Sequence, residues 1–237
     1  MPPISRSLGL AAFLTLSALA APAFASFHLM QIEEAAGGMC DHTDQQAVQL
    51  RMRSGGQNLV SGKQLVAYDA NGANPVVLIT FPSNVATATA GSRILVASST
   101  FASAQGITPD FVMTNTIPAS YLPAGRLAFQ SSGSILWSLS WGGAAYTGST
   151  TGTLDNDADG IFGPSWPGAL PSDTDLALLF PGAASALSTN NAADYSLSPG
   201  EAIFTRNNGS AFMVVNCFLF SDGFETGNTA GWSLTTP

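Results

Sequence analysis

From Ala47 to Arg53 the chain reads AVQLRMR, with Val48, Leu50 and Met52 alternating against Gln49, Arg51 and Arg53. A period of two places successive side chains on opposite faces of an extended strand, and it cannot serve the 3.6-residue repeat of an amphipathic helix. It predicts the half-buried strand of an antiparallel sheet. Similar short segments recur at Phe27 to Ile32, Gln64 to Tyr68, Arg93 to Ala97, Phe111 to Thr114, Arg126 to Gln130 and Ile135 to Trp141. Leu176 to Phe180, Ala202 to Thr205 and Ala211 to Phe220 continue the series. Val76 to Phe81 is apolar without interruption, which predicts a strand covered on both faces, and it stops at Pro82. Gly, Pro, Asn and Ser clusters separate these segments, so the expected class is all-β, an antiparallel β-sandwich. A short helix fits only near Ser83 to Ala90, where the threonines weigh against it.

The first 25 residues read as an export signal. Arg6 supplies a positive start, Leu8 to Ala21 is apolar, and Ala23-Phe24-Ala25 gives the small-x-small pattern of a cleavage site. The apolar run is shorter than the roughly 20 residues of a spanning helix. The expected organisation is therefore a signal peptide over 1–25, a β-sandwich over 26–220 and a tail over 221–237. Without Arg6, six basic residues face 15 acidic ones, a net charge of −9. Such a balance repels phosphate backbones and anionic membrane surfaces, so nucleic acid is excluded as a partner. The expected partner is a protein or glycan at the cell surface or outside the cell. In an exported chain, Cys40 and Cys217, its only cysteines, are expected to form one disulfide.

Several segments, in order, resemble the lamin tail domain, an immunoglobulin-like β-sandwich also found on bacterial exported proteins. AVQLRMR stands at that family's "ELYN"-like strand, and NLVSGKQLVAYDANG is similar to its "vdLsGW-L-D--G" segment. ITFPSNVATATAGSRILVA, GSILWSLSWGG and STNNAADYSL resemble later pieces, extending the likeness from about Phe27 to Phe204. Lys63 occupies the family's Trp position, no Asn follows Met52, and the intervening loops are longer. The resemblance implies a non-catalytic β-sandwich with no catalytic residues to carry over. The final SDGFETGNTAGWSLTTP is similar to a "DGFESGDTSxWS" tail of bacterial exported proteins.

One motif carries recognisable ion chemistry. Asp155-Asn156-Asp157-Ala158-Asp159-Gly160 matches D-x-D-x-D-G, in which alternate oxygens converge on calcium and the Gly allows the sharp turn. Asp155, Asp157 and Asp159 would be the ligands, with the Ile161 carbonyl at position seven; the alternative for the same residues is a solvated Asp/Asn/Gly turn between strands. Trp166 stands where a bidentate acid belongs, leaving Asp173 or Asp175 as its substitute. Tyr146 and Trp166 flank the loop as candidates for binding a glycan or protein. A hydrolase is the alternative from another class, drawing carboxylates from Glu33, Glu34, Glu201 and Glu225, although their spacing selects no pair. Cys40, Asp41, His42 and Asp44 fall short of a zinc signature, and GSTTG at Gly148 to Gly152 has Thr where a serine nucleophile would stand.

Overall fold

The computed structural model describes residues 28–214. The expected signal peptide, the tail and Glu225 lie outside them. The strands are β1 (Met30–Ala36), β2 (Ala47–Met52), β3 (Gln64–Tyr68), β4 (Val76–Thr80), β5 (Arg93–Ala97) and β6 (Phe111–Val112). They continue as β7 (Gly125–Ser131), β8 (Ser134–Trp141), β9 (Leu178–Leu179), β10 (Ser196–Leu197), β11 (Ile203–Thr205) and β12 (Ala211–Met213). Among the described residues, helix is confined to α1 (Ser99–Gln105), α2 (Asn191–Asp194) and two single 3-10 turns. The fold is β-rich, with several sheets and little helix. Among the described residues no helix is long and apolar enough to cross a membrane.

A six-stranded sheet has the order β10-β9-β1-β2-β5-β6, and a four-stranded sheet the order β4-β3-β7-β8. All their pairings are antiparallel except β5 with β6. One apolar cluster draws on both sheets: Ile32, Leu50 and Val96 from the larger, Leu65, Phe129, Trp137 and Trp141 from the smaller. Trp137 and Trp141, four residues apart on β8, share one face and are both buried.

Strand β2 is buried along its whole length, not on one face alone. Val48, Leu50 and Met52 enter the main cluster. On the other face, Ala47 joins a second cluster with Leu95, Ala97, Phe101, Ala202, Phe204 and Val214. Gln49 and Arg51 on that face are covered by polar partners instead. Gln49 meets the β11–β12 hairpin, whose Thr205 N–H donates to its side-chain oxygen. Arg51 Nη2 donates to the Gly182 carbonyl at 2.6 Å. The continuous run at β4 shows the converse. It forms an edge strand with Val76 and Val77 only half buried, its Leu78 carbonyl accepting from the Thr114 N–H at 2.7 Å. No helix occupies 83–90. The helix that does form, α1, is capped by Ser98, whose hydroxyl accepts from the Phe101 N–H, and it ends at Gly106 with φ 63°.

Cys40 is disulfide-bonded, and Cys217, the partner expected for it, lies outside the described residues. Cys40 occupies the tight turn after β1, at φ 53°, and packs against the second apolar cluster. Burial on that cluster secures this corner of the described fold.

The acidic loop and the cleft beside it

The loop at 155–160 is built around N–H donors. Asp157 Oδ1 accepts from the backbone N–H groups of Asp159, Gly160 and Ile161 at 3.0, 2.8 and 3.1 Å. Asp159 Oδ1 takes a second bond from Ile161 at 2.8 Å. Gly160, at φ 78°, makes the sharp turn that the motif predicts. Asp155 instead turns toward His28, 3.7 Å from its Nε2, and its carbonyl accepts from Arg53 at 2.7 Å. Desolvation pushes the Asp157 carboxyl above the usual carboxylate range.

The calcium expectation is therefore corrected. Among the described residues no three His, Cys, Asp or Glu side chains come together to hold a metal ion. Oδ1 of Asp157 and Oδ1 of Asp159 satisfy turn N–H groups instead, a use for which Asp is equally suited. Asp173 is exposed on a separate loop whose neighbours bond the chain after β1, through Pro171 to Gly37 and Thr174 to Cys40.

The residue of the motif with the longest reach is Asn156, which sequence reasoning passed over. It is fully buried, and its Nδ2 donates to the carbonyls of His28 and Leu136, both at 2.7 Å. Asn191, also fully buried, repeats the device farther along β8. Its Nδ2 donates to the Ser138 carbonyl at 2.9 Å while its Oδ1 accepts from the Ser140 N–H at 2.8 Å. Two side-chain amides thus stand in for a strand along the outer edge of β8.

The loop borders a cleft of about 640 Å³. Tyr146, Thr147, Gly148 and Thr150 face Ile161 and Ser165 across it, and Tyr146 is its only ionisable lining residue. The Tyr146 hydroxyl donates to the Ser149 carbonyl at 2.9 Å, to which Arg126 Nη1 also donates, at 2.6 Å. Thr147 is tied to the Asp69–Asn74 turn through its N–H to Ala70 at 2.8 Å and its hydroxyl to Asn71 at 3.1 Å. A Cβ on Gly148 would stand 2.5 Å from Gly72 Cα, so this join requires glycine. Ser165 shares a 2.8 Å hydrogen bond with Ser140. Of the two aromatic candidates, Tyr146 forms part of the cleft wall. Trp166 packs against the main core, and its backbone N–H donates to the Ser140 carbonyl.

The acids considered for hydrolysis occupy a different region. Glu33, on the outer face of the six-stranded sheet, meets Arg51 Nη1 at 2.7 Å, Arg93 Nε at 2.6 Å and Nη2 at 2.8 Å, and Gln49 Nε2 at 2.9 Å. Bonding to Glu33 raises the Arg93 guanidinium further, whereas burial lowers that of Arg51. Glu34 and Glu201 line one small cavity nearby. His42 lies in the turn after β1, its N–H donating to the Met39 carbonyl at 2.8 Å.

No protein-family model matches this chain, and no curated protein or solved structure is detectably similar to it.

Proposed function

We propose that this protein is a non-catalytic, exported binding module on an immunoglobulin-like β-sandwich of the lamin-tail kind, and that it holds a neutral glycan in the cleft beside Tyr146. The observation that carries this reading is the cleft's lining. Hydroxyls of Thr147, Thr150 and Ser165, glycine backbone and the half-exposed side chain of Ile161 face one another without a carboxylate or a basic group. Hydroxyls and backbone groups exchange hydrogen bonds with sugar hydroxyls, while an apolar side chain covers a sugar's C–H face. Export is supported by the Arg6, Leu8 to Ala21 and Ala23-Phe24-Ala25 pattern. A glycan array tests the reading. Binding to neutral glycans is expected, with loss in Ile161→Arg, which places a bulky cation at a position already 48% exposed. An array on which only charged glycans respond, or none, overturns it.

A further inference from the structure

Two adjoining cavities, of about 380 and 280 Å³, lie where the turn of the β11–β12 hairpin meets the chain before β5, and Arg206 and Asn207 line both. Buried Asn207 holds the place together. Its backbone N–H donates to Asp110 Oδ2 at 2.8 Å, and its Nδ2 donates to the carbonyls of Thr87 and Arg93 at 3.2 and 3.0 Å. Its Oδ1 accepts from the Thr87 N–H at 2.7 Å.

That frame leaves the side chains on the larger cavity unspent. Arg51, Arg53, Arg93 and Arg126 all donate hydrogen bonds from their guanidinium groups. Arg206 alone among the described arginines donates none, and its Nε is buried without a partner. Arg93 gives Nε and Nη2 to Glu33 at 2.6 and 2.8 Å and keeps Nη1. The Thr87 and Thr205 hydroxyls and Asn208 Nδ2 donate to no described residue.

The charges nearby favour an anion. No carboxylate lines the larger cavity. Behind it, the pairing of β1 with β2 slips between Ile32 and Glu34, so that Glu33 and Glu34 together oppose Gln49. Glu33 is one anion shared by two cations, Arg51 and Arg93. Burial holds the Glu34 carboxyl up to about 8, so it is largely un-ionised at neutral pH. Asp110 lines only the smaller cavity, spends Oδ2 on the N–H groups of Leu95 and Asn207, and forms no ion pair with Arg206. Three guanidinium groups thus face at most two ionised carboxylates, Glu33 and Asp110, in a chain whose net charge is −8.

We propose that the larger cavity binds a tetrahedral oxyanion, the sulfate or phosphate group of an esterified ligand, held by Arg206 with Arg93 Nη1 and the hydroxyls of Thr87 and Thr205. The donors come from three separate stretches of chain around the cavity. A tetrahedral group carries acceptor oxygens on every side and can meet them, whereas a planar carboxylate offers only two oxygens. A guanidinium fork matches such oxyanions in pairs of hydrogen bonds.

Inorganic sulfate, inorganic phosphate and acetate, titrated into the nitrogen-labelled full chain at constant ionic strength in sodium chloride, test the proposal by amide NMR. Saturable shifts are expected at Thr87 and from Thr205 to Asn208, with sulfate half-saturating at about 1–10 mM. Acetate is expected to bind about tenfold more weakly. Arg206→Gln weakens sulfate by at least about tenfold, the order of one charge-assisted hydrogen bond. Either dianion binding in this way upholds the proposal, and the tighter of the two names the ester. Acetate binding as tightly as sulfate overturns it. So do shifts that fail to saturate or that scatter over the surface, and unchanged sulfate binding in Arg206→Gln. That variant removes no hydrogen bond from the fold; even should it fold poorly, the sulfate-to-acetate ratio and the shift map of the unaltered protein decide the matter.

Discussion

The Trp137 indole N–H donates to the Tyr195 hydroxyl at 2.8 Å, and that hydroxyl donates to the Ile32 carbonyl at 2.5 Å. One buried phenol therefore links β8 of the smaller sheet to β1 of the larger through the apolar core. Phe180 packs edge-on to both rings, with centroids 5.3 Å from Trp137 and 5.6 Å from Tyr195. Burial holds the Tyr195 phenol far above its ordinary pKa, so it stays a donor throughout the accessible pH range. Tyr195→Phe keeps the ring and leaves an indole donor and a carbonyl unsatisfied. A loss of about 1–3 kcal/mol in urea unfolding is expected. An unchanged midpoint would show that the linkage contributes nothing to stability.

Glu33 gathers two guanidinium groups at a site 3% exposed. Glu33→Gln leaves Arg51 and Arg93 together without their counter-charge, and removing one partner of a buried pair costs about 3–5 kcal/mol. Thermal unfolding checks this, and Arg93→Gln should cost less, because Arg93 is the more exposed of the two cations. The reverse order would place the main anchor on β5.

Glu34 gives stability a definite pH dependence. Its carboxyl is raised from 4.5 to about 8 in the folded protein. Below the lower value both states hold the proton. Between the two values the folded state retains it and the unfolded chain does not, so stability falls as pH rises, by up to about 1.4 kcal/mol per unit. Asp110, also raised by desolvation, slopes in the same direction. The difference between the parent protein and Glu34→Gln isolates the Glu34 share. Parallel stability profiles from pH 5 to 8 would remove the buried acid from the account.

Asp157→Ala withdraws the acceptor shared by three N–H groups, which would then turn to water and release the 155–161 turn. A loss of about 1–3 kcal/mol is expected, with faster amide exchange at Asp159, Gly160 and Ile161. Exchange rates that stay as slow as before would mean the turn is held by something other than this carboxylate.

What the sequence revealed, and what it hid, follows the range of the interactions involved. Alternation in AVQLRMR assigns Val48, Leu50 and Met52 to one face correctly, because that is a local property of an extended chain. It cannot show that Gln49 and Arg51 are also covered, since their partners lie at Thr205 and Gly182, more than 130 residues away. The run at Val76 to Phe81 misleads for the same reason: its apolarity is local, but its place at a sheet edge is set by pairing. Ser98 and Gly106 are ordinary helix start and stop signals around α1, yet seven residues give too little periodicity to stand out. The acidic loop is legible as a turn, and its cation-site reading fails. The same oxygens at the same spacing serve either purpose, and only the missing acid at Trp166 spoke against calcium. Glu34 could not be picked out from its neighbour, because the slip in register that separates their fates has no sequence signature.

The amides of Asn156 and Asn191 have a consequence for how copies of this chain meet. An open strand rim presents unpaired carbonyl and N–H groups to any passing extended segment, which is the start of strand-on-strand aggregation. Here the carbonyls of Leu136 and Ser138 and the N–H of Ser140 are already engaged by two side chains anchored far along the chain. Keeping copies of the chain apart at this rim thus falls to a pair of uncharged residues, and losing either would expose a template for self-association.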